Sequence, residues 1–111
     1  MSHLMKVKTK YYQLLKSGKK TIELRLWDEK RRQIKVGDEI IFADSACPTD
    51  YFNAVVLALH RAENFDALCR IISPQQAGFS SEKELTETMA EFYSSETQKT
   101  LGVVGIEIFS K

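Results

Sequence analysis

The chain has 111 residues, which fits one domain spanning 1–111 and leaves no room for a second core. With 43% hydrophobic, 28% charged and 10% aromatic residues it has the composition of a folded globular protein, which excludes intrinsic disorder. Sixteen Lys and Arg against fifteen Asp and Glu give a formal charge of +1, so the molecule is not a strongly basic particle that coats nucleic acid without discrimination.

The opening Met5-Lys6-Val7-Lys8 alternates and predicts a short strand. Tyr11 to Lys16 then carries apolar residues at helical spacing ahead of Gly18, a residue suited to ending a helix. From Thr21 to Trp27 the period becomes two, with Ile22, Leu24 and Leu26 on one face and Glu23, Arg25 and Trp27 on the other. Asp28 to Gln33 is a charged connection, and the tight turn at Gly37-Asp38 introduces a strand over Glu39 to Ala43. Asp44 to Asp50, with Pro48, reads as a loop. Tyr51 to Arg61 reads as a long strand with Phe52, Ala54, Val56, Ala58 and His60 on alternate positions.

Asn64 is placed to cap a helix over Phe65 to Ile72 that Pro74 stops, and Ser81 with Glu84 forms the capping pattern of a helix running to about Tyr93. Ser94 to Thr100 reads as a polar linker, and Gly102 to Phe109 as a closing strand. The expected order is β-α-β-β-β-α-α-β, an α+β chain with a largely antiparallel sheet that curls into a small barrel to protect its edges.

No apolar stretch exceeds Ala54 to Leu59, well below the roughly 20 residues of a membrane span, and the N-terminus has no signal-peptide core, so a cytoplasmic protein without a membrane partner is expected. Cys47 and Cys69 are expected to be reduced thiols, with Cys69 a small core residue. With only His3 and His60 beside them, no metal site and no cofactor is expected; His60 reads as structural, and the sequence leaves the oligomeric state unset.

Chemistry concentrates around Gly18. Lys19 and Lys20 follow the turn, and Glu23 and Arg25 emerge about 7 Å apart on one strand face, close enough for their side chains to meet over Lys20. From pattern alone this is either a charged site or a surface ion-pair network. Residues 16–35 carry eight positive and three negative side chains, a local +5 that includes Arg31 and Arg32 and would attract a polyanion. Trp27 either stacks on a base or covers the edge of the barrel.

These residues resemble the signature of the ASCH domain (activating signal cointegrator homology), a branch of the PUA-like fold. Gly18-Lys19-Lys20-Thr21-Ile22-Glu23-Leu24-Arg25 matches its G-x-K-x-x-E-x-R string at every fixed position. The Ile34-x-x-Gly37-Asp38-x-Ile40-x-Phe42 turn, the helix at Phe65-Asp66-Ala67-Leu68, Tyr93 and the Gly102-Val103 strand follow in order, so the resemblance covers nearly the whole chain. It implies a PUA-like small β-barrel of five to six mostly antiparallel strands flanked by two to three helices, with a cleft beside it. It also implies binding of RNA or a modified nucleoside there, by Lys19, Lys20, Glu23, Arg25, Trp27, Arg31, Arg32 and Tyr93.

A subgroup of that family hydrolyses N4-acetylcytidine, using a Lys matching Lys20, a Thr where this chain has Glu23, and a Glu that counts to a position near Gly78. Amidohydrolysis with Lys20 as the catalytic residue is therefore the alternative, with two of three positions departing. A second alternative is an interaction module without a ligand, in which the motif only staples the barrel. The Glu beside Lys20 favours recognition, because a neighbouring carboxylate stabilises a charged ammonium over a free-amine base.

Overall fold

In the computed structural model, which describes residues 1–111, the chain forms β1 (Ser2–Val7), α1 (Thr9–Ser17), β2 (Ile22–Leu26), β3 (Glu39–Asp44), β4 (Cys47–Ala62), α2 (Phe65–Leu68), α3 (Glu82–Phe92), α4 (Ser95–Leu101) and β5 (Val103–Ser110). Single 3₁₀ turns lie at Arg31–Gln33 and Pro74–Ala77. The strands share one sheet in the order β1-β3-β4-β5-β2, with β1 parallel to β3 and every other pair antiparallel. The sheet curls into a half-barrel. Its two edges, β1 and β2, come close enough for the Arg25 guanidinium to donate to the Lys6 carbonyl at 3.0 Å.

Two apolar cores fix this shape. The alternating residues Ile40, Phe42, Val56, Val104, Ile106 and Ile108 cluster on one face of the sheet with Tyr12 and Leu15 of α1 and with Met5, Val7 and Trp27. On the other side α2, α3 and Phe79 pack on Ile22, Leu24 and Val103. Side chains such as Phe42, Leu15, Phe65 and Leu85 are fully buried, each stabilising the fold by about 1.5–3 kcal/mol relative to exposure. The strand β2 lies where the two cores meet, so its motif is anchored from both sides.

Three segments differ from the expectation. β4 begins at Cys47 rather than Tyr51: Asp44 pairs with Cys47 across a two-residue turn in which Asp44 Oδ1 accepts from Ala46 N at 2.9 Å and from Thr9 Oγ1 at 2.6 Å. Pro48 is tolerated there because the register passes directly from Cys47 to Tyr51, leaving residues 48–50 outside the ladder. The same strand shifts register between Val56 and Ala58, so Leu59 rather than Ala58 packs on the core. Pro74 opens a 3₁₀ turn capped by Ser73 instead of ending a long helix, and α2 is a single turn.

The expected linker Ser94 to Thr100 is the helix α4, with Ser94 Oγ accepting from Thr97 N. Its one buried side chain is polar: Gln98 accepts from Phe65 N at 3.2 Å and donates to Tyr93 O at 3.1 Å, tying α4 to the start of α2 and the end of α3. An element that buries only a glutamine shows no apolar stripe in the sequence. Cys47 and Cys69 are both free, and no helix is long and apolar enough to cross a membrane.

Replacing Gln98 with Ala strands the buried Phe65 N–H. The variant is expected to lose about 1–3 kcal/mol in urea unfolding. A midpoint unchanged from the parent chain would show that water replaces the glutamine and that the bridge adds nothing.

Candidate functional site

The turn at Gly18 sets the site. Gly18 ends α1 in the left-handed conformation, with φ +82, which glycine adopts without a Cβ penalty. The chain then doubles back: Lys20 N donates to Leu14 O at 3.0 Å, and Thr21 is held on two sides, its N–H on Gln76 O and its carbonyl on Ile108 N, both at 2.9 Å. Lys20 is thus pinned before β2 starts. Strand alternation sends Ile22 and Leu24 into the α2–α3 core while Glu23 and Arg25 face the open side of the half-barrel.

There the three charged residues of the motif meet. Lys20 Nζ lies 3.1 Å from Glu23 Oε1, and Arg25 Nε donates to Glu23 Oε2 at 2.8 Å. The Lys20 and Glu23 side chains are only 4% and 7% exposed, far from a solvated surface pair. The ammonium of Lys20 sits 4.7 Å from the Tyr11 ring centroid, and its stem runs against Gly78, where a Cβ would stand 3.2 Å from Lys20 Cδ. The Gly78 backbone, with φ +89, is also one that a side chain would strain. Burial alone would push the Glu23 carboxyl up, but the charges of Lys20 and Arg25 and their hydrogen bonds outweigh it and hold the group below the ordinary value of 4.5.

The triad forms the floor of a cleft of about 180 Å³. Tyr11, Phe79, Met89, Phe92 and Tyr93 make its apolar walls, and the exposed Lys6 and Lys8 at the end of β1 line its rim. Tyr11 and Phe79 meet at 6.0 Å between ring centroids, and Lys8 Nζ lies 4.6 Å from the centroid of Phe92. Burial, then the charges of Glu23, Glu84 and Glu91, push the Tyr11 hydroxyl up, so the acidic face of α3 borders this cleft. Four cations, Lys6, Lys8, Lys20 and Arg25, against the single carboxylate Glu23 leave a lining charge of +3.

Of the expected site residues, the structure brings together Lys20, Glu23, Arg25 and Tyr93, the last stacked on Phe65 at 6.2 Å. The others lie elsewhere. Trp27 is buried in the half-barrel core at 8% exposure, with Arg61 over its ring at 4.6 Å, so it offers no face to a base. Arg31 pairs with Asp28 at 3.1 Å, and Arg32 donates to the Trp27 carbonyl, so the basic turn braces itself rather than the cleft. Lys19 is exposed and points outside the lining.

Lys6, Lys8, Tyr11, Phe79, Met89 and Phe92 are absent from the sequence-based set. For the two lysines the signal was present, since the alternation of Met5-Lys6-Val7-Lys8 puts both on one strand face. The apolar lining residues gave no signal distinguishing cleft wall from core. His60 pairs with Glu107 at 2.8 Å, away from the cleft, and no cluster of three His, Cys, Asp or Glu that could hold a metal ion forms in the chain.

The model of the ASCH domain matches residues 5–110. The chain is similar to the crystal structure of the hypothetical protein PH0355, with 35% identity over 100% of both chains and a TM-score of 0.88. It is also similar to the solution structure of protein PF0455 from Pyrococcus furiosus, with 34% identity over 99% of this chain and 97% of that one and a TM-score of 0.77. ASCH from Zymomonas mobilis shares the fold at 14% identity and a TM-score of 0.69, over 97% of this chain and 66% of that one. No curated protein matches the chain.

The depressed Glu23 carboxyl makes folding depend on pH in a set direction. Its contribution is complete above the unfolded value of 4.5 and is lost as pH falls through the lower folded value. Glu23→Gln, which leaves Lys20 buried without its counter-charge, is expected to cost about 3–5 kcal/mol at neutral pH. That deficit should narrow in urea titrations taken below about pH 4.5, whereas a constant deficit across the acid range would mean the carboxyl titrates normally. Asp38, also held low by its hydrogen bond from His3, adds a separate acid-sensitive step that Asp38→Asn removes.

Proposed function

The chain belongs to the ASCH domain family, and from that premise we propose that it binds RNA or a modified nucleoside in the cleft between β1, α1, β2 and α3. The observation that carries this reading is the unused hydrogen-bonding capacity of a buried, positively biased floor beneath aromatic walls. Of the five N–H donors of Arg25, one goes to Glu23 and one to the Lys6 carbonyl, so three remain. Lys20 directs one of its three donors to Glu23 and keeps two, and each Glu23 oxygen retains a lone pair.

A base entering the cleft would meet these groups at its edge and Tyr11 or Phe79 at its face, where stacking contributes about 1–3 kcal/mol. A phosphate would meet Lys6 and Lys8 at the rim. Recognition is favoured over hydrolysis because no Ser or Thr hydroxyl lines the cleft. The hydroxyls that do, those of Tyr11 and Tyr93, include one that burial and three carboxylates make harder to ionise.

Lys20 and Arg25 support the fold as well as the cleft, so the test belongs at the rim, where Lys6 and Lys8 are exposed. In fluorescence titrations with short single-stranded RNA, Lys6→Ala/Lys8→Ala is expected to weaken binding and to lower the salt slope by about 0.7 per lost phosphate contact. The melting temperature should stay at that of the parent chain. Equal affinity and equal slope in the double variant would remove the proposal. Release of cytidine from N4-acetylcytidine by the purified chain would establish the hydrolytic alternative.

A further inference from the structure

The floor of the cleft has a fixed hydrogen-bonding order. Lys20 donates to one oxygen of Glu23 and Arg25 to the other, so the groups run donor, acceptor, donor along the floor. None of the three is free to turn away. The Lys20 stem lies against Gly78 and its ammonium against the Tyr11 ring, Arg25 is tethered to the Lys6 carbonyl, and the carboxylate is gripped from both sides.

Resting on the reading of the cleft as a nucleoside site, we propose that it selects the Watson–Crick edge of uracil. That edge runs O4 acceptor, N3–H donor, O2 acceptor, the complement of Lys20, Glu23 and Arg25 in order. Each Glu23 oxygen accepts one cationic hydrogen bond and retains a lone pair, and the imide N–H of uracil donates to the carboxylate between Lys20 and Arg25. Cytosine in the same pose sets the N3 lone pair against the carboxylate. Shifted by one position to bring its amine onto Glu23, it faces Lys20 with a C–H. Guanine in the same pose places its N2 amine against Arg25, donor to donor, and a pose that sets N1–H and N2–H on the two Glu23 oxygens leaves Arg25 facing no acceptor. Because Lys20 and Glu23 are buried, such a mismatch sets like polar groups against each other with no water between them, and discrimination is steep.

The edge is the same on a free nucleotide and within a strand, so the test carries both. Uridine, cytidine, guanosine and 3-methyluridine monophosphates, with uridine-only and cytidine-only tetranucleotides, are titrated into the 111-residue chain by calorimetry. Uridine monophosphate or the uridine tetranucleotide is expected to bind roughly tenfold or more tighter than its cytidine counterpart, and methylation at N3 to remove that advantage. Cytidine or guanosine monophosphate binding as tightly as the uridine form, or 3-methyluridine retaining the affinity, overturns the uracil assignment and leaves a nucleotide site of other selectivity. No binding by any nucleotide or tetranucleotide overturns both this assignment and the reading on which it rests.

Discussion

The structure depends on a carboxylate buried between two cations. Glu23 sits on β2, Lys20 on the turn that precedes it, and Arg25 reaches from β2 to the backbone of β1. One hydrogen-bonded chain thereby ties together the three elements around the open side of the sheet. The strands β1 and β2 are the two edges of a sheet that does not close, and an edge strand exposes unpaired backbone groups. Arg25 satisfies one of these on β1 and spans the gap with a side chain rather than a ladder. The half-barrel therefore keeps a mouth, and the mouth is the cleft.

Such a triad is a poor device for stability alone. Removing three polar groups from water costs several kcal/mol each before their mutual attraction is counted, and an apolar replacement of the same volume is often as stable. The position offers apolar surroundings that would accept one, with Tyr11, Phe79 and Leu24 all adjacent. A polar arrangement kept where an oily one fits points to what it presents to the cleft, namely oriented donors and an acceptor that need no rearrangement to meet a ligand.

The sequence makes the strands, the Gly18 turn and the pairing of Glu23 with Arg25 legible because each rests on spacing: period two for the strand, a glycine at a helix end, alternate residues on one face. It does not make legible what depends on the third dimension. The parallel return of β1 beside β3 delivers Lys6 and Lys8 to the rim, and nothing local marks that pairing. The basic run through Arg31 and Arg32 looked like a polyanion surface because charge was counted along the chain, whereas those side chains fold back on Asp28 and the Trp27 carbonyl. The helix α4 was hidden by its polarity and Leu59 by a bulge.

The unequal charge of the two halves, +4 over residues 1–60 from eleven positive and seven negative side chains and −3 over 61–111 from five and eight, acquires a spatial meaning at the cleft. Its rim on β1 is cationic, while the α3 wall carries Glu84 and Glu91 close enough to act on Tyr11. On the proposed reading a phosphorylated ligand would be oriented before it touched the floor, with its anionic end toward Lys6 and Lys8 and away from α3. Affinity would then come chiefly from the rim and the aromatic walls, which treat all bases nearly alike. Discrimination would come from the floor, where Lys20, Glu23 and Arg25 are held by one another and their remaining donors and lone pairs would admit only an edge that matches them. The separation follows from burial, because exposed lysines at the rim accommodate a misfit with water and the Lys20–Glu23 pair does not.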